Sequence, residues 1–277
     1  MSDTTSNSNS ILTARQVIEL IQQNVGVAWR EETIDTFKTG NPDAVVTGVV
    51  VTMVPTLDVL QEAVERGANL IIAHEPAFYD HLDGTEGLAA EKDAVFLAKR
   101  DFIEKNELIL WRFHDHLHWR QPDGVLQGMV ETLGWQEFQN TDNPKLFVLP
   151  ETTVETLASQ LKNLLGIRAL RIVGDGSLKI TKAAFSAGFP GFDSQRSLLQ
   201  SDDVEVLVMG EAHEWETIAY VYDAATAKQR KALIILGHTP SEQGGMEWCA
   251  RWMESFLPPL PIHFVPTPEP FWVLPTS

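Results

Sequence analysis

Asn69-Leu-Ile-Ile-Ala-His-Glu-Pro-Ala-Phe-Tyr-Asp-His81 is an apolar run that stops at His74-Glu75-Pro76. A short, continuously apolar run is the signature of a strand buried on both faces. In open α/β sheets chemistry gathers just beyond the carboxyl ends of such strands. Here the first residues past the run are an imidazole and a carboxylate. Upstream, Ala44 to Thr52 reads as a strand, and Pro55-Thr56 opens a helix bearing Leu57, Leu60, Ala63 and Val64 that Gly67 closes. Strand, helix and strand within about 30 residues make a βαβ unit, so the two strands should run parallel. Two later stretches repeat the arrangement. Leu108-Ile-Leu-Trp-Arg-Phe113 runs into His114-Asp-His-Leu-His118, and Ala232-Leu-Ile-Ile-Leu236 into Gly237-His-Thr-Pro-Ser-Glu242.

The rest of the chain fits around these strand ends. Thr13-Ala-Arg-Gln16 has capping-box spacing and opens an amphipathic helix through Val17, Leu20, Ile21 and Val25. The segment from Glu75 to Leu88 is longer than most connections, a length common in functional loops, and a helix from Ala90 to Lys105 follows. A second half starts near Thr141, with a strand from Lys145 to Leu149 and a helix from Glu151 to Leu165. Arg168–Val173 and Leu178–Ala187 flank Gly174-Asp-Gly176, a hairpin signal. Val204–Met209 is a further strand, and Ile262–Val265 a short one among the late prolines. The expected fold is therefore α/β: two similar lobes with mostly parallel sheets flanked by helices. The metal site is expected at the strand C-terminal ends between the lobes. Boundaries are expected at 1–10 (a disordered tail), 11–140 and 141–277.

Composition narrows the function classes. Of 277 residues, 44% are hydrophobic and 21% charged, globular values that leave ample material for a core. Lys and Arg number 21 against 38 Asp and Glu, and the net charge of −17 repels phosphate backbones. No nucleic-acid partner is expected. The longest apolar runs are strand length, so no membrane span is expected either. The N-terminus lacks the pattern of a secretory signal, and a single cysteine, Cys249, leaves no internal disulfide and no thiolate zinc site. Cytoplasmic residence is the expectation.

Seven of the eight histidines, His74, His81, His114, His116, His118, His213 and His238, fall within or just after the strand-end motifs. Imidazole is the commonest metal ligand, and its company here is carboxylate rather than thiolate. That set suits Zn²⁺, Fe²⁺ or Mn²⁺ better than Mg²⁺ or Ca²⁺. Spacing does not decide which of His114, His116 and His118 binds. His238-Thr-Pro-Ser-Glu242 is equally a good helix start, with Thr239 as N-cap, Pro240 at the first helical position and Glu242 closing the box. Glu211 and His213 either line the same mouth or cap a helix. No Gly-x-Ser-x-Gly elbow or Walker loop is present.

These motifs resemble the GTP cyclohydrolase type 2-like family, the Ngg-interacting-factor-three-like dinuclear-metal proteins. Its Gly-Ala-Asp-Leu-Ile-Ile-Thr-His-His-Pro is similar to Gly67-Ala-Asn-Leu-Ile-Ile-Ala-His-Glu-Pro76. Its His followed four residues on by Asp corresponds to His114-Asp-His-Leu-His118. Its Gly-His-x-x-x-Glu followed by Gly matches Gly237-His-Thr-Pro-Ser-Glu-Gln-Gly244, and its Thr-Gly-Glu is similar to Met209-Gly-Glu211. Glu75 stands where the family has His, and His118 where it has Asp. The resemblance thus implies a reciprocal exchange that keeps the count of imidazoles and carboxylates. It implies a metal-dependent hydrolase, cyclohydrolase-like, acting on a small molecule, with His74, Glu75, His118, His238 and Glu242 holding one or two ions. His114 and His116 are then general acids or orienting groups. It also implies a homohexamer. The other reading is a non-catalytic metal-binding, scaffold or metal-storage protein.

Overall fold

The computed structural model describes residues 11–274, so the tail expected over residues 1–10 lies outside the described residues. In chain order the first elements are α1 (Ala14–Asn24), β1 (Phe37–Thr39), β2 (Val49–Thr52), α2 (Leu57–Glu65) and β3 (Leu70–Ala73). Next come α3 (Glu86–Glu91), α4 (Ala94–Lys105), β4 (Ile109–Arg112), α5 (Asp115–Trp119), α6 (Gly124–Leu133) and β5 (Leu146–Thr153). Then follow α7 (Val154–Leu164), β6 (Arg171–Val173), β7 (Lys179–Ser186), α8 (Phe192–Leu199) and β8 (Val206–Met209). The last are α9 (Ala219–Thr226), β9 (Ala232–Ile235), α10 (Gln243–Glu254) and β10 (Ile262–Phe264). Two compact units form: Met1–Gly124 with Met246–Thr267, and Val125–Gly245 with Pro268–Ser277. The sequence reading puts one boundary near residue 141; by contacts the chain passes between units at three points, the first at Gly124. The reason is packing, since Leu126, Met129, Val130 and Leu133 of α6 belong to the core of the second unit.

The sheet of the first unit has the order β1-β4-β3-β2-β10. β2, β3, β4 and β10 are parallel and only β1 is antiparallel, so the expected βαβ unit is present. All residues of β2, β3 and β4 are buried, including Thr52 and Arg112 at the ends of the apolar runs. Val59, Leu60 and Ala63 of α2 and Phe96 and Ile103 of α4 pack with Val50, Ile71 and Leu110. At the start of α1, Thr13 and Gln16 form both bonds of the capping box.

In the second unit the order is β5-β7-β8-β9-β6, with β7, β8 and β9 parallel and both edge strands antiparallel. Side chains alternate across a sheet, and two cores result. Ala183, Phe185, Val206, Val208, Ala232 and Ile234 pack with Leu157, Ala158 and Leu161 of α7. Ala184, Leu207, Met209, Leu233 and Ile235 meet Leu199 of α8 and Val221 of α9 on the other face. The expected hairpin around Gly174-Asp-Gly176 does not form a strand pair. β6 pairs with β9, while β7 pairs with β5 and β8. The late strand β10, expected in the second lobe, joins β2 of the first unit.

Candidate metal centre

Parallel neighbours deliver His74 and His114 to the same sheet edge, since Ala73 of β3 is in register with Arg112 of β4. His114 is the N-cap of α5, and the His118 amide bonds its carbonyl at 3.1 Å. Positions four apart share a helix face. The segment is thus a short helix that aims two imidazoles at a third. Ring centroids stand 4.5 Å apart for His74 and His114, 4.9 Å for His114 and His118, and 5.0 Å for His74 and His118. Each ring offers a nitrogen, and the three lie within 4.8 Å of one another.

Their tautomers are set from behind. His74 Nδ1 lies 3.1 Å from the Phe113 carbonyl oxygen, which can only accept, so Nδ1 carries the proton and Nε2 the lone pair. Asp115 accepts from His114 Nδ1 at 3.1 Å and Asp123 from His118 Nδ1 at 3.0 Å. Metal-binding histidines characteristically donate their other ring N–H to a carbonyl or carboxylate in this way. Burial pushes His114 below the ordinary imidazole value, and the neighbouring His118 lowers it further. Both effects favour the neutral form that binds metal. Glu75 has an oxygen within 4.8 Å of a His74 nitrogen and pairs with the buried Arg112 at 3.3 Å. Arg112 also donates to the His74 and His81 carbonyls.

His116 does not join the cluster, although its spacing is as good. Its Nδ1 donates to Asp35 at 2.7 Å, its Nε2 accepts the Arg30 amide at 3.0 Å, and Trp29 stacks on it at 3.6 Å. With both nitrogens engaged and the side chain sealed from solvent, it has no atom left for the acid or orienting role expected of it. It is a framework residue. Asp115, Asp123 and the Phe113 carbonyl, which orient the cluster, carry no motif of their own in the sequence. Asp123 lies within Pro122-Asp-Gly124, whose residue types are those of a turn.

In the second unit the strand ends of β7, β8 and β9 are in register at Ser186, Met209 and Ile235. The loops beyond them bring Glu211, His238 and Glu242 together. His238 Nδ1 stands 3.1 Å from Glu211 and its Nε2 3.2 Å from Glu242. His238, rather than Thr239, is the N-cap of the turn Thr239–Ser241, and the Glu242 carboxylate faces His238. Gly188 makes room for it. It holds a φ of 56°, and a Cβ there would sit 2.9 Å from the Glu242 carboxyl carbon. Gly188→Ala is therefore expected to displace Glu242 and weaken metal binding by roughly tenfold, as disturbing a ligand's support does. Titration of the purified variant with Zn²⁺ checks this. His213 stays apart, paired with Glu216 at 3.1 Å and stacked on Trp215.

The chain matches the model of the Duf34/NIF3 (NGG1p interacting factor 3) family over residues 13–270. It belongs to that family. Among solved structures, a Staphylococcus aureus hypothetical protein, SA1388, is 19% identical with a TM-score of 0.71, covering 95% of this chain and 100% of that one. A Bacillus cereus protein related to NIF3 is 16% identical with a TM-score of 0.74, covering 95% and 99%. Reduced HcgD from Methanocaldococcus jannaschii is 17% identical with a TM-score of 0.64, covering 91% and 96%. These likenesses show the NIF3 fold. No curated protein matches. No helix among the described residues is long and apolar enough to cross a membrane.

The donors fit a divalent transition ion. They combine imidazole nitrogen with carboxylate oxygen, and the one cysteine is buried with its thiol pushed up to about 12 by that burial.

Proposed function

We propose that this NIF3-family chain is a metal-dependent hydrolase. Its cations are held by His74, Glu75, His114 and His118 in the first unit and by His238 and Glu242 in the second. The observation that carries the reading is the His74, His114 and His118 cluster, in which a ring nitrogen of each lies within 4.8 Å of the others and each Nδ1 proton is directed at an acceptor. His114 joins the proposed ligand set because its ring stands 4.5 Å from that of His74 and 4.9 Å from that of His118. When bound, Zn²⁺, Fe²⁺ or Mn²⁺ supplies Lewis acidity and a hydroxide near neutral pH. The chain's own part is to fix the tautomers of the imidazoles and aim them. Phe113, Asp115 and Asp123 do this in the first unit, and Glu211 does it for His238 in the second. Arg112 balances the charge of Glu75.

The cyclohydrolase label and a homohexameric assembly rest on the resemblance alone, and cytoplasmic residence rests on composition. The substrate is a small molecule, and the test is a screen of metal-reconstituted protein against phosphoester, amide and cyclic-amidine substrates. Turnover should require the metal, and Asp123→Asn should lower metal affinity or activity by roughly 10–100-fold. Full metal occupancy with no turnover on any class would defeat the hydrolase and leave the metal-storage or scaffold reading.

A further inference from the structure

Beside the imidazole cluster, the loop after β3 and the helices α2 and α4 border a cavity of about 450 Å³. Lys99 reaches it from α4 while remaining only 4% exposed. Its Nζ donates one hydrogen bond, to the Ala77 carbonyl at 2.5 Å, and stands 5.4 Å from the Tyr79 ring centroid. An ammonium has three protons to donate, and no carboxylate among the described residues forms an ion pair with this one. The acids nearby are engaged elsewhere. Asp83 faces Lys38 at 3.5 Å and Arg112 at 3.9 Å, and Asp58 accepts from Thr56 and the Val59 amide. Glu75 pairs with Arg112, and Asp80 accepts from the Leu82 and Gly84 amides.

A buried charge with no direct ion pair is costly, and folds keep one mainly where something else supplies the partner. Desolvation by burial lowers Lys99 to about 8, although Asp83 and Asp58 act through space to raise it. The wall facing it is held rigid. Asp83 accepts from the Ala77 and Phe78 amides at 2.6 and 3.0 Å, and Tyr79 is held at a φ of 67°. A non-glycine residue in the left-handed region is uncommon, and such residues cluster at ligand sites.

We propose that this cavity is an anion subsite that takes the carboxylate or phosphate of a small organic molecule, with the Lys99 ammonium as its counter-ion. Val54 and Leu57 contact the apolar body of that molecule. Glu75 lines the same cavity and sits beside His74, so an anion seated on Lys99 leaves the rest of the molecule directed at the imidazole cluster. The subsite deepens the hydrolase reading and rests on it for the reaction, though not for binding.

The experiment uses full-length, metal-free protein and isothermal titration with two probes, inorganic phosphate and benzoate. At least one should bind, and which of them binds more tightly identifies the anion. Lys99→Met should weaken it at least tenfold, whereas Lys105→Met, on the exposed side of α4, should not. Leu57→Trp, which fills the cavity without touching the charge, should also weaken it at least tenfold. The melting temperature of Lys99→Met should equal or exceed that of the parent, because an unpaired buried charge has been removed. Absence of binding by both probes, unchanged binding in Lys99→Met, or a marked loss of stability in that variant would each overturn the subsite. The measurement involves neither metal nor turnover, so the hydrolase reading stands or falls separately.

Discussion

His74→Ala is expected to strip the protein of its transition metal. His74 is fully buried, touches the rings of both His114 and His118, and leaves the sheet on the strand that supplies Glu75. Its Nδ1 bond to the Phe113 carbonyl fixes which nitrogen faces the cluster, so no rotation of a neighbour recovers the lost ligand. Elemental analysis should find a transition metal in the parent at near-stoichiometric level and less than about a tenth of that in the variant, a loss at least as large as that from removing a ligand's support. The stability cost should be modest in the metal-free state, about 1–3 kcal/mol for the stranded carbonyl, and larger once the parent is loaded, because binding to the folded state adds stability. Unchanged metal content in His74→Ala would sink the assignment. His238→Ala in the same assay reads the second set: unaltered metal content would make Glu211, His238 and Glu242 a structural triad.

The parts of the fold that the sequence displays are those with a local signal. Apolar runs announce β3, β4 and β9, and the βαβ unit follows from the spacing of β2, α2 and β3. Pairings decided at long range carry no such signal. Gly174-Asp-Gly176 reads as a hairpin because turn chemistry is local, yet β6 bonds to β9 across some 60 residues. The strand β10 reads as the tail of the second lobe, yet it extends the first sheet. The site divides the same way. The residue types and their place at strand ends are legible, and of the residues so marked His74 and His118 come together in the fold. The contrast between His114 and His116 was not, because two imidazoles in the same short segment are told apart only by Asp35, about 80 residues earlier. Glu242 presents a helix-cap pattern in sequence. It turns to His238 because Gly188, far off in the chain, leaves space for its carboxylate.

Asp35 also carries the largest expected effect on folding. It sits in a segment with no periodicity, yet its carboxylate accepts from the amides of His114, Asp115 and His116 at 2.6, 2.9 and 2.8 Å and from His116 Nδ1 at 2.7 Å. α5 has only five residues, too few to stand without tertiary support, and its first amides have no partner within the helix. Asp35 supplies that partner from outside, with its charge at the positive end of the helix dipole. Alanine would strand three amides and an imidazole N–H at about 1–3 kcal/mol each, before any water enters. A net loss of roughly 4 kcal/mol is expected, which at about 2–4 °C per kcal/mol lowers the melting temperature by around 10 °C. Because His114 and His118 ride on α5, metal affinity should fall as well. The two roles separate by thermal melts in both states. Asp35→Ala should lose stability with and without metal, whereas His74→Ala should lose most of its stability only relative to the loaded parent. If Asp35→Ala melts within about 3 °C of the parent, less than the shift expected from 1–2 kcal/mol, α5 is held by something other than this carboxylate.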